Sequence, residues 1–307
     1  MASIELIKKL REATGCGMSD CNKALTETNN DYDKAVDWLR KKGLSSAEKK
    51  SARVTTEGLV GTLINGNKAV IVEVNSETDF VAKNDKFQAM VNDILNSAMA
   101  TAKSSNFLDD LNKSKVGATT VEDLIKNNIS VIGENLKLRR ANKIELQGEG
   151  LIVDYIHTAT NKNMGKIGVL VALKSSADKS KLEELGKQIA MHIAATKPDF
   201  LDEKSVSQDR IDREKAVLVE QARNSGKPEN IIEKMIEGRM RKFYEEVCLL
   251  SQNFVMDDSI KIQGVLDKFK KENGAEVSIQ EFCFYVLGQG IEKKEVNFAE
   301  EVASMTK

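Results

Sequence analysis

Few side chains in this 307-residue sequence could carry out acid–base or nucleophilic chemistry. The complete set of histidines and cysteines is His157, His192, Cys16, Cys21, Cys248 and Cys283. The cysteines form no CxxC pair and have no histidine cluster near them in sequence, so zinc, disulfide and redox sites are all weakly indicated. We interpret them as buried or neutral residues in a reducing compartment. His192 lies in a helical pattern between Ile189 and Ile193, which favours a structural histidine over a catalytic one.

Motifs that would bind nucleotides or activate a nucleophile are also missing. The sequence contains no GxxxxGK[ST] loop and no GxGxxG, and neither GxSxG nor HExxH. The adjacent carboxylates Asp109–Asp110 and Asp257–Asp258 lie in polar stretches and are expected to be solvated turns rather than an acid–base pair. The sequence therefore predicts a non-catalytic protein with no cofactor and no metal, which works by binding another protein.

One connection is unusual for a plain scaffold. Residues 78–84 (TDFVAKN) place Phe80 beside Asp79 between a strand and a helix, and side chains in connections are usually exposed. The alternative, which the physics of the residues alone favours, is that Phe80 folds back into the core while Asp79 caps the helix.

Composition limits the class of partner. Lys plus Arg total 46 and Asp plus Glu total 47, so the net charge gives no general attraction to nucleic acid or anionic lipid. No apolar run approaches the ~20 residues of a membrane span, and the first residues already form an amphipathic pattern rather than a signal peptide. We expect a globular cytoplasmic protein of about two domains.

The order of apolar patterns predicts an α+β fold. Residues 1–43 are a three-helix docking module that ends at Gly43, and residues 44–56 are a linker. Two copies of a hairpin–helix–helix–strand unit follow, 57–147 and 148–290. The first hairpin turns at Asn65–Gly66.

The second copy carries an insertion. Residues 207–248 are expected to form an antiparallel helical hairpin that turns at 225–228 (SGKP). Its apolar stripe exceeds what two helices need, so the hairpin is a candidate for self-association. Residues 291–307 are expected to form a short terminal helix.

Two long segments carry a resemblance to a known family. Residues 10–25 (LREATGCGMSDCNKAL) and 73–83 (EVNSETDFVAK) resemble the two signatures of bacterial translation elongation factor Ts. Further similar segments, in the same order along nearly the whole chain, are 132–135, 190–195, 225–228, 237–240 and 290–293. One departure is Ser19, where some members carry a second methionine.

The resemblance implies a guanine nucleotide exchange factor for the GTPase elongation factor Tu. In the family, the segment corresponding to Thr78, Asp79, Phe80 and Val81 inserts near the partner's nucleotide and displaces its magnesium. The resemblance also implies contacts to the partner's GTPase domain and to a second domain. These contacts would be made by Arg11, Met18, Ser19, Asp20, Ile132, His157, Phe298 and Val302. No direct contact with nucleic acid or membrane is implied.

Two other functions stay open at this point. The helices of residues 3–43 are similar to ubiquitin-associated domains, so the chain could be an adaptor with a coiled-coil scaffold. The third possibility is an enzyme whose site is not recognised. Release of labelled GDP from the GTPase partner would distinguish the first function from the other two.

Overall fold

The computed structural model describes residues 2–223 and 229–292 and confirms the α+β class. Its helices are α1 (Ile4–Thr14), α2 (Met18–Glu27), α3 (Tyr32–Lys50), α4 (Asp85–Ala100), α5 (Phe107–Lys113), α6 (Val121–Ile132), α7 (Lys179–Thr196), α8 (Gln208–Arg223), α9 (Glu229–Val247) and α10 (Ile262–Asn273). Its strands are β1 (Glu57–Asn65), β2 (Lys68–Ser76), β3 (Lys115–Val116), β4 (Thr119–Thr120), β5 (Leu136–Glu145), β6 (Gly150–Asn161), β7 (Met164–Ser175), β8 (Asn253–Phe254), β9 (Asp257–Lys261) and β10 (Val277–Val286).

The main sheet has six strands. Its order is β10-β7-β1-β2-β5, and β6 pairs with β7. The β6–β7 pair is antiparallel, with Val153 opposite Val171. Two short ladders, β3–β4 and β8–β9, lie outside this sheet.

The chain divides into two compact units that are not contiguous in sequence. Unit 1 takes its residues from Met1–Gly61, Val72–Ala141 and Val286–Lys307, and unit 2 from Thr62–Ile71 and Asn142–Tyr285. The division along the chain therefore falls within β1, β2, β5 and β10. The separation into a docking module, a linker, two core subdomains and a terminal module stays a prediction about function.

Unit 1 begins with the three predicted helices. The Ser3 hydroxyl accepts a hydrogen bond from the Leu6 N–H at 3.1 Å, and the Asp31 carboxylate accepts one from the Lys34 N–H at 3.0 Å. These side chains satisfy backbone donors that a helix start leaves free. The small core of the three helices consists of Ile7, Leu10, Cys21, Ala24, Leu25, Ala35 and Leu39.

The predicted end of the third helix at Gly43 is wrong. Helix α3 continues to Lys50, so the first part of the predicted linker 44–56 is helical. A Cβ atom at Gly43 would lie 3.3 Å from Cβ of Ser130 on α6. Gly43 therefore permits close packing of α3 on α6 and is not a C-cap. The sequence could not separate these two roles, because both favour a residue without a side chain.

Most of the first copy of the repeat also lies in unit 1, except for residues 62–71 and 142–147, which belong to unit 2. Helix α4 buries one face, which includes Phe87, Val91 and Leu95. A Cβ atom at Gly61 on β1 would lie 3.0 Å from Cδ1 of Leu95, so the glycine lets α4 lie close to the strand. The adjacent carboxylates 109–110 occupy the first turn of α5, not a loop as predicted, because acidic groups are favoured at helix N-termini.

Unit 2 repeats the same order with β6, β7, α7, α10 and β10. In this unit, the glycine that permits close packing of helix and sheet is Gly186 on α7. A Cβ atom at this position would lie 2.5 Å from Cγ2 of Val153 on β6. The ladder β8–β9 precedes α10, as β3–β4 precedes α6. Neither ladder was predicted, and the second includes residues 257–258, which were expected in a turn.

His192 is buried in unit 2, as predicted for a structural histidine. Its Nε2 lies 2.9 Å from Oε1 of Gln252, and the Val255 N–H donates to its Nδ1 at 3.3 Å. Burial lowers the pKa of the His192 ring, and the Gln252 hydrogen bond offsets only part of this effect. The ring therefore joins α7 to the β8–β9 ladder.

The inserted helical hairpin is confirmed as α8 packed on α9. The apolar residues between the helices include Leu218, Met240 and Phe243. Val217 and Ile231 remain 49% and 44% exposed. The predicted turn at 225–228 and the terminal-helix residues 293–307 lie outside the described residues. Among the residues described, no helix is both long and apolar enough to cross a membrane.

The base of the hairpin is closed by backbone hydrogen bonds. The Phe200 N–H donates to the Val247 carbonyl at 2.9 Å, and the Leu249 N–H donates to the Phe200 carbonyl at 2.9 Å. The chain therefore enters and leaves the hairpin at nearly the same place.

Replacing residues 207–246 with a short Gly/Ser bridge should keep unit 2 folded and remove the self-association predicted for the hairpin. The expected result is cooperative melting and a monomeric mass at concentrations where the full chain is expected to form larger species. Light scattering and circular dichroism measure both properties. A full chain that is itself monomeric would contradict the association, and a molten variant would show that the hairpin stabilises unit 2.

Candidate functional site

Phe80 is the most exposed large apolar side chain among the residues described, with 80% of its surface accessible. The helix cap is Asn84, whose Oδ1 accepts from the Lys86 N–H at 2.9 Å. The interpretation in which Phe80 enters the core and Asp79 caps α4 is therefore wrong. Burying a phenylalanine is worth about 1.5–3 kcal/mol, so this side chain can contribute that free energy to a complex.

The backbone on both sides of Phe80 is held in place. Thr78 donates to Glu134 twice, from its N–H at 2.9 Å and from its hydroxyl at 2.6 Å. Val81, the next residue after Phe80, is buried and begins a short 3-10 helix, Val81–Lys83. We refer to residues 77–83 as the Phe80 segment.

A second carboxylate fixes the start of the Phe80 segment. The Asn135 N–H donates to Oε1 of Glu77 at 2.6 Å, and Arg53 forms an ion pair with Glu77 at 3.4 Å. The Asn135 side chain also donates to the Arg53 carbonyl at 2.8 Å. Residues from three distant parts of the sequence therefore meet at one point in unit 1.

The end of α6 connects this point to the N-terminal helices. Gly133 ends α6 with a φ of 91°, and its carbonyl accepts from Nζ of Lys50 at 2.7 Å. Lys86 on α4 donates to the Gly15 carbonyl in the α1–α2 turn at 3.4 Å. Ile132, one of the predicted partner contacts, is partly buried at this helix end.

Glu73 stabilises the strand that leads into the Phe80 segment. Its carboxylate is fully buried and accepts from Arg140 at 2.5 Å, Arg139 at 3.1 Å and the Gly288 N–H at 2.9 Å. Burial alone would raise the pKa of Glu73, but the hydrogen bonds from Gly288, Arg140 and Asn75 outweigh it and hold the pKa below its ordinary value. Sequence analysis gave Glu73 no role.

The predicted contacts on the N-terminal helices are accessible. Arg11 and Ser19 are exposed, Met18 is 46% exposed, and Asp20 pairs with Lys42 at 2.5 Å. Ile4, which was assigned no contact, is 69% exposed. Its exposure could not be predicted from the sequence, because Ile4 has the same helical spacing as the buried residues of α1.

The remaining predicted contacts lie elsewhere. His157 is exposed in unit 2, and its Nδ1 is 3.0 Å from the hydroxyl of Tyr155. His157 belongs to unit 2, whereas the residues that hold the Phe80 segment belong to unit 1. Phe298 and Val302 lie outside the described residues.

The groups that the Phe80 segment presents are suited to binding another molecule. Within residues 2–223 and 229–292, no three His, Cys, Asp or Glu side chains come together as metal ligands. Burial raises the pKa of the Cys248 thiol to about 11, so this thiol is protonated at neutral pH and is a poor nucleophile. What the site presents is an exposed aromatic side chain beside a carboxylate, on a fixed backbone.

Comparison with known proteins places this site in a family. The family model of elongation factor Ts matches residues 77–289. The elongation factor Ts of Rhodospirillum rubrum is 50% identical over 302 residues, covering 98% of this chain and 97% of that protein. That of Rhizobium meliloti is 48% identical over 304 residues, covering 98% of each chain. That of Rickettsia felis is 49% identical over 306 residues, covering 99% of this chain and 97% of that protein.

Glu73→Gln should destabilise unit 1 in a pH-dependent way. Removing one charge from a buried ion cluster costs on the order of 3 kcal/mol at pH 7. Because the folded-state pKa is lowered, the contribution is complete above the unfolded pKa of about 4.3 and is lost as pH falls through the folded pKa. Urea denaturation at pH 7 and near pH 3 should show the gap between wild type and variant narrowing in acid. An equal gap at both pH values would contradict an ionised Glu73.

Proposed function

This chain belongs to the elongation factor Ts family, and from that membership we propose that it is a guanine nucleotide exchange factor for elongation factor Tu. Its role is in translation elongation. It binds the GDP-bound GTPase and accelerates GDP release. The observation that carries this function is the exposure of Phe80 at a fixed position, since no requirement of folding accounts for it.

Exchange of this kind needs binding energy and no catalytic acid or base. A factor that binds the nucleotide-free conformer of its partner more tightly than the GDP-bound one shifts the equilibrium toward release. The coupling is reciprocal, so an incoming nucleotide weakens the bound factor to the same extent. Interface energy is concentrated in a few aromatic or charged residues, and Phe80 matches that description.

The partner's magnesium is the proposed target of the Phe80 segment. A magnesium ion that bridges phosphate oxygens neutralises their charge, so displacing it weakens nucleotide binding. The exposed Asp79 carboxylate stands beside Phe80. We assign Thr78, Asp79, Phe80 and Val81 to this step, with Phe80 inserting and Val81 anchoring the segment in its own core.

The docking contacts follow from family membership and from exposure. Arg11, Met18, Ser19 and Asp20 would bind the GTPase domain, with Ile132 beside them at the end of α6. The exposure of Met18 supports this assignment. His157 would meet a second domain of the partner, and Phe298 and Val302 would add a terminal contact. The factor would act in the cytoplasm with its partner and would not contact nucleic acid directly.

Phe80→Ala should keep the fold and lose most of the exchange activity. The expected loss corresponds to roughly 2–4 kcal/mol, the range for an interface residue that dominates binding. The assay follows release of labelled GDP from elongation factor Tu, and melting is measured in parallel. Met256→Ala is the matched control, because Met256 is 51% exposed in unit 2 and should have no effect. Unchanged exchange by Phe80→Ala would refute the proposed role.

Magnesium should determine the size of the defect in an Asp79→Ala/Phe80→Ala variant. With excess magnesium, the wild-type protein should release GDP far faster than the double variant. With the metal chelated, the two proteins should converge, and each tenfold of lost advantage corresponds to ~1.4 kcal/mol of coupling. A defect of the same size in both conditions would eliminate metal displacement and leave Phe80 acting on the partner's phosphate-binding loop.

A further inference from the structure

We infer that Glu134 is a positioning residue for Phe80, and that it acts by holding Thr78 through two hydrogen bonds. The inference rests on the proposed function, because it concerns the side chain that would enter the partner. It identifies a residue far from Phe80 in sequence that sets how effectively Phe80 works.

The geometry of the contact fixes orientation as well as distance. The N–H and the hydroxyl of Thr78 bond to different oxygens of the same carboxylate, at 2.9 Å to Oε2 and 2.6 Å to Oε1. The Ser76 hydroxyl holds the carbonyl of the same residue at 2.8 Å. With all three polar groups of Thr78 engaged, the peptide plane two residues before Phe80 cannot rotate freely.

A fixed backbone matters here because an exposed phenylalanine is unfavourable in water. Conformers of the Phe80 segment that bury the ring against the protein surface would compete with the exposed one. If only a fraction of molecules present the ring, the apparent affinity for the partner falls by that fraction. The hydrogen bonds to Glu134 raise that fraction before the partner arrives, so the ordering cost does not reduce the binding energy.

Glu134 also lies where it can relate Phe80 to the docking helices. Its neighbours Gly133 and Asn135 are bonded to Lys50 and to Glu77, respectively. Helix α3 and the Phe80 segment are therefore both attached to three consecutive residues at the end of α6. Docking through the N-terminal helices then delivers Phe80 in one orientation.

The test compares variants that remove one or both hydrogen bonds with a variant that retains them. Glu134→Ala removes both bonds. Thr78→Val removes the hydroxyl bond and keeps the bond from the backbone N–H. Glu134→Gln can keep both bonds, since its carbonyl accepts from the N–H while its NH2 donates to the hydroxyl oxygen. Glu183→Gln is the matched charge control, because Glu183 pairs with Lys187 on the surface of α7.

The first readout is GDP release from elongation factor Tu at a fixed concentration of factor well below saturation, where the rate reports the apparent affinity. Glu134→Ala should slow release by about tenfold, Thr78→Val should slow it by less, and Glu134→Gln should stay within about twofold of wild type. In a Phe80→Ala background, Glu134→Ala should change the rate by less than about twofold, because coupled positions are not additive.

The second readout needs no partner. Hydrogen exchange of the Thr78 amide in the free protein should accelerate in Glu134→Ala and remain slow in Glu183→Gln, with melting temperatures compared in parallel. Loss of melting cooperativity would assign Glu134 to stability alone and overturn the inference, as would an unchanged Thr78 exchange rate.

The outcomes separate this inference from the proposed function. If Phe80→Ala itself leaves GDP release unchanged, the proposed function of Phe80 fails. If Phe80→Ala is defective but Glu134→Ala is not, only the positioning inference fails. Equal effects of Glu134→Ala in the presence and absence of the Phe80 ring would also overturn it, since Glu134 would then act by another route.

Discussion

The paired carboxylate contacts at the end of α6 are the constraint on which the site depends. Glu134, at the end of α6, accepts a hydrogen bond from the Thr78 N–H in the Phe80 segment. Glu77, in the Phe80 segment, accepts one from the Asn135 N–H at the end of α6. This reciprocal arrangement satisfies backbone N–H groups that a turn would otherwise leave without partners. It also makes a connection between a strand and a helix, usually the most mobile kind of element, into a fixed support for an apolar side chain.

The duplicated core explains why such a support can be built at that place. Each copy runs from hairpin to helix, through a small ladder, to a second helix that ends at a left-handed glycine, Gly133 or Gly274, and then into a strand. A glycine relieves the contact between helix and sheet in both copies, but on the strand at Gly61 and on the helix at Gly186. Both copies therefore need a close approach of helix and sheet, but the glycine that permits it is on the strand in the first copy and on the helix in the second. In the first copy, α3 packs on this second helix, and Lys50 of α3 donates to the carbonyl of Gly133 at the helix end.

Local signals in the sequence were sufficient for most of the fold. The three N-terminal helices and the first hairpin were predicted because each depends on neighbouring residues only, although the residues between the two strands are 66–67 and not Asn65–Gly66. Gly43 led to a wrong prediction of the helix end. A glycine that ends a helix and a glycine that permits close packing look the same in sequence, and Ser130, against which Gly43 packs, lies far along the chain.

The candidate site was less accessible to the same reasoning. Family resemblance identified the TDFV residues, whereas the residues alone favoured a buried Phe80. Glu134 could not be assigned a role, because its partner Thr78 lies 56 residues away. Contacts of this range are decided by how the elements pack, which composition and periodicity do not contain.

An exposed aromatic on a rigid support is also a compromise between stability and function. Burying Phe80 would stabilise the free protein, but that free energy would then have to be recovered when a partner binds. Holding the ring in water leaves it available for the complex but lowers the stability of the free protein. Hydrogen bonds and the ion cluster at Glu73 in the same unit offset this loss of stability. Under the proposed function the factor is later expelled by nucleotide, so its affinity has to be strong but concentrated in few contacts. A single phenylalanine on a backbone that is held by hydrogen bonds to Glu134 and Glu77 meets both conditions.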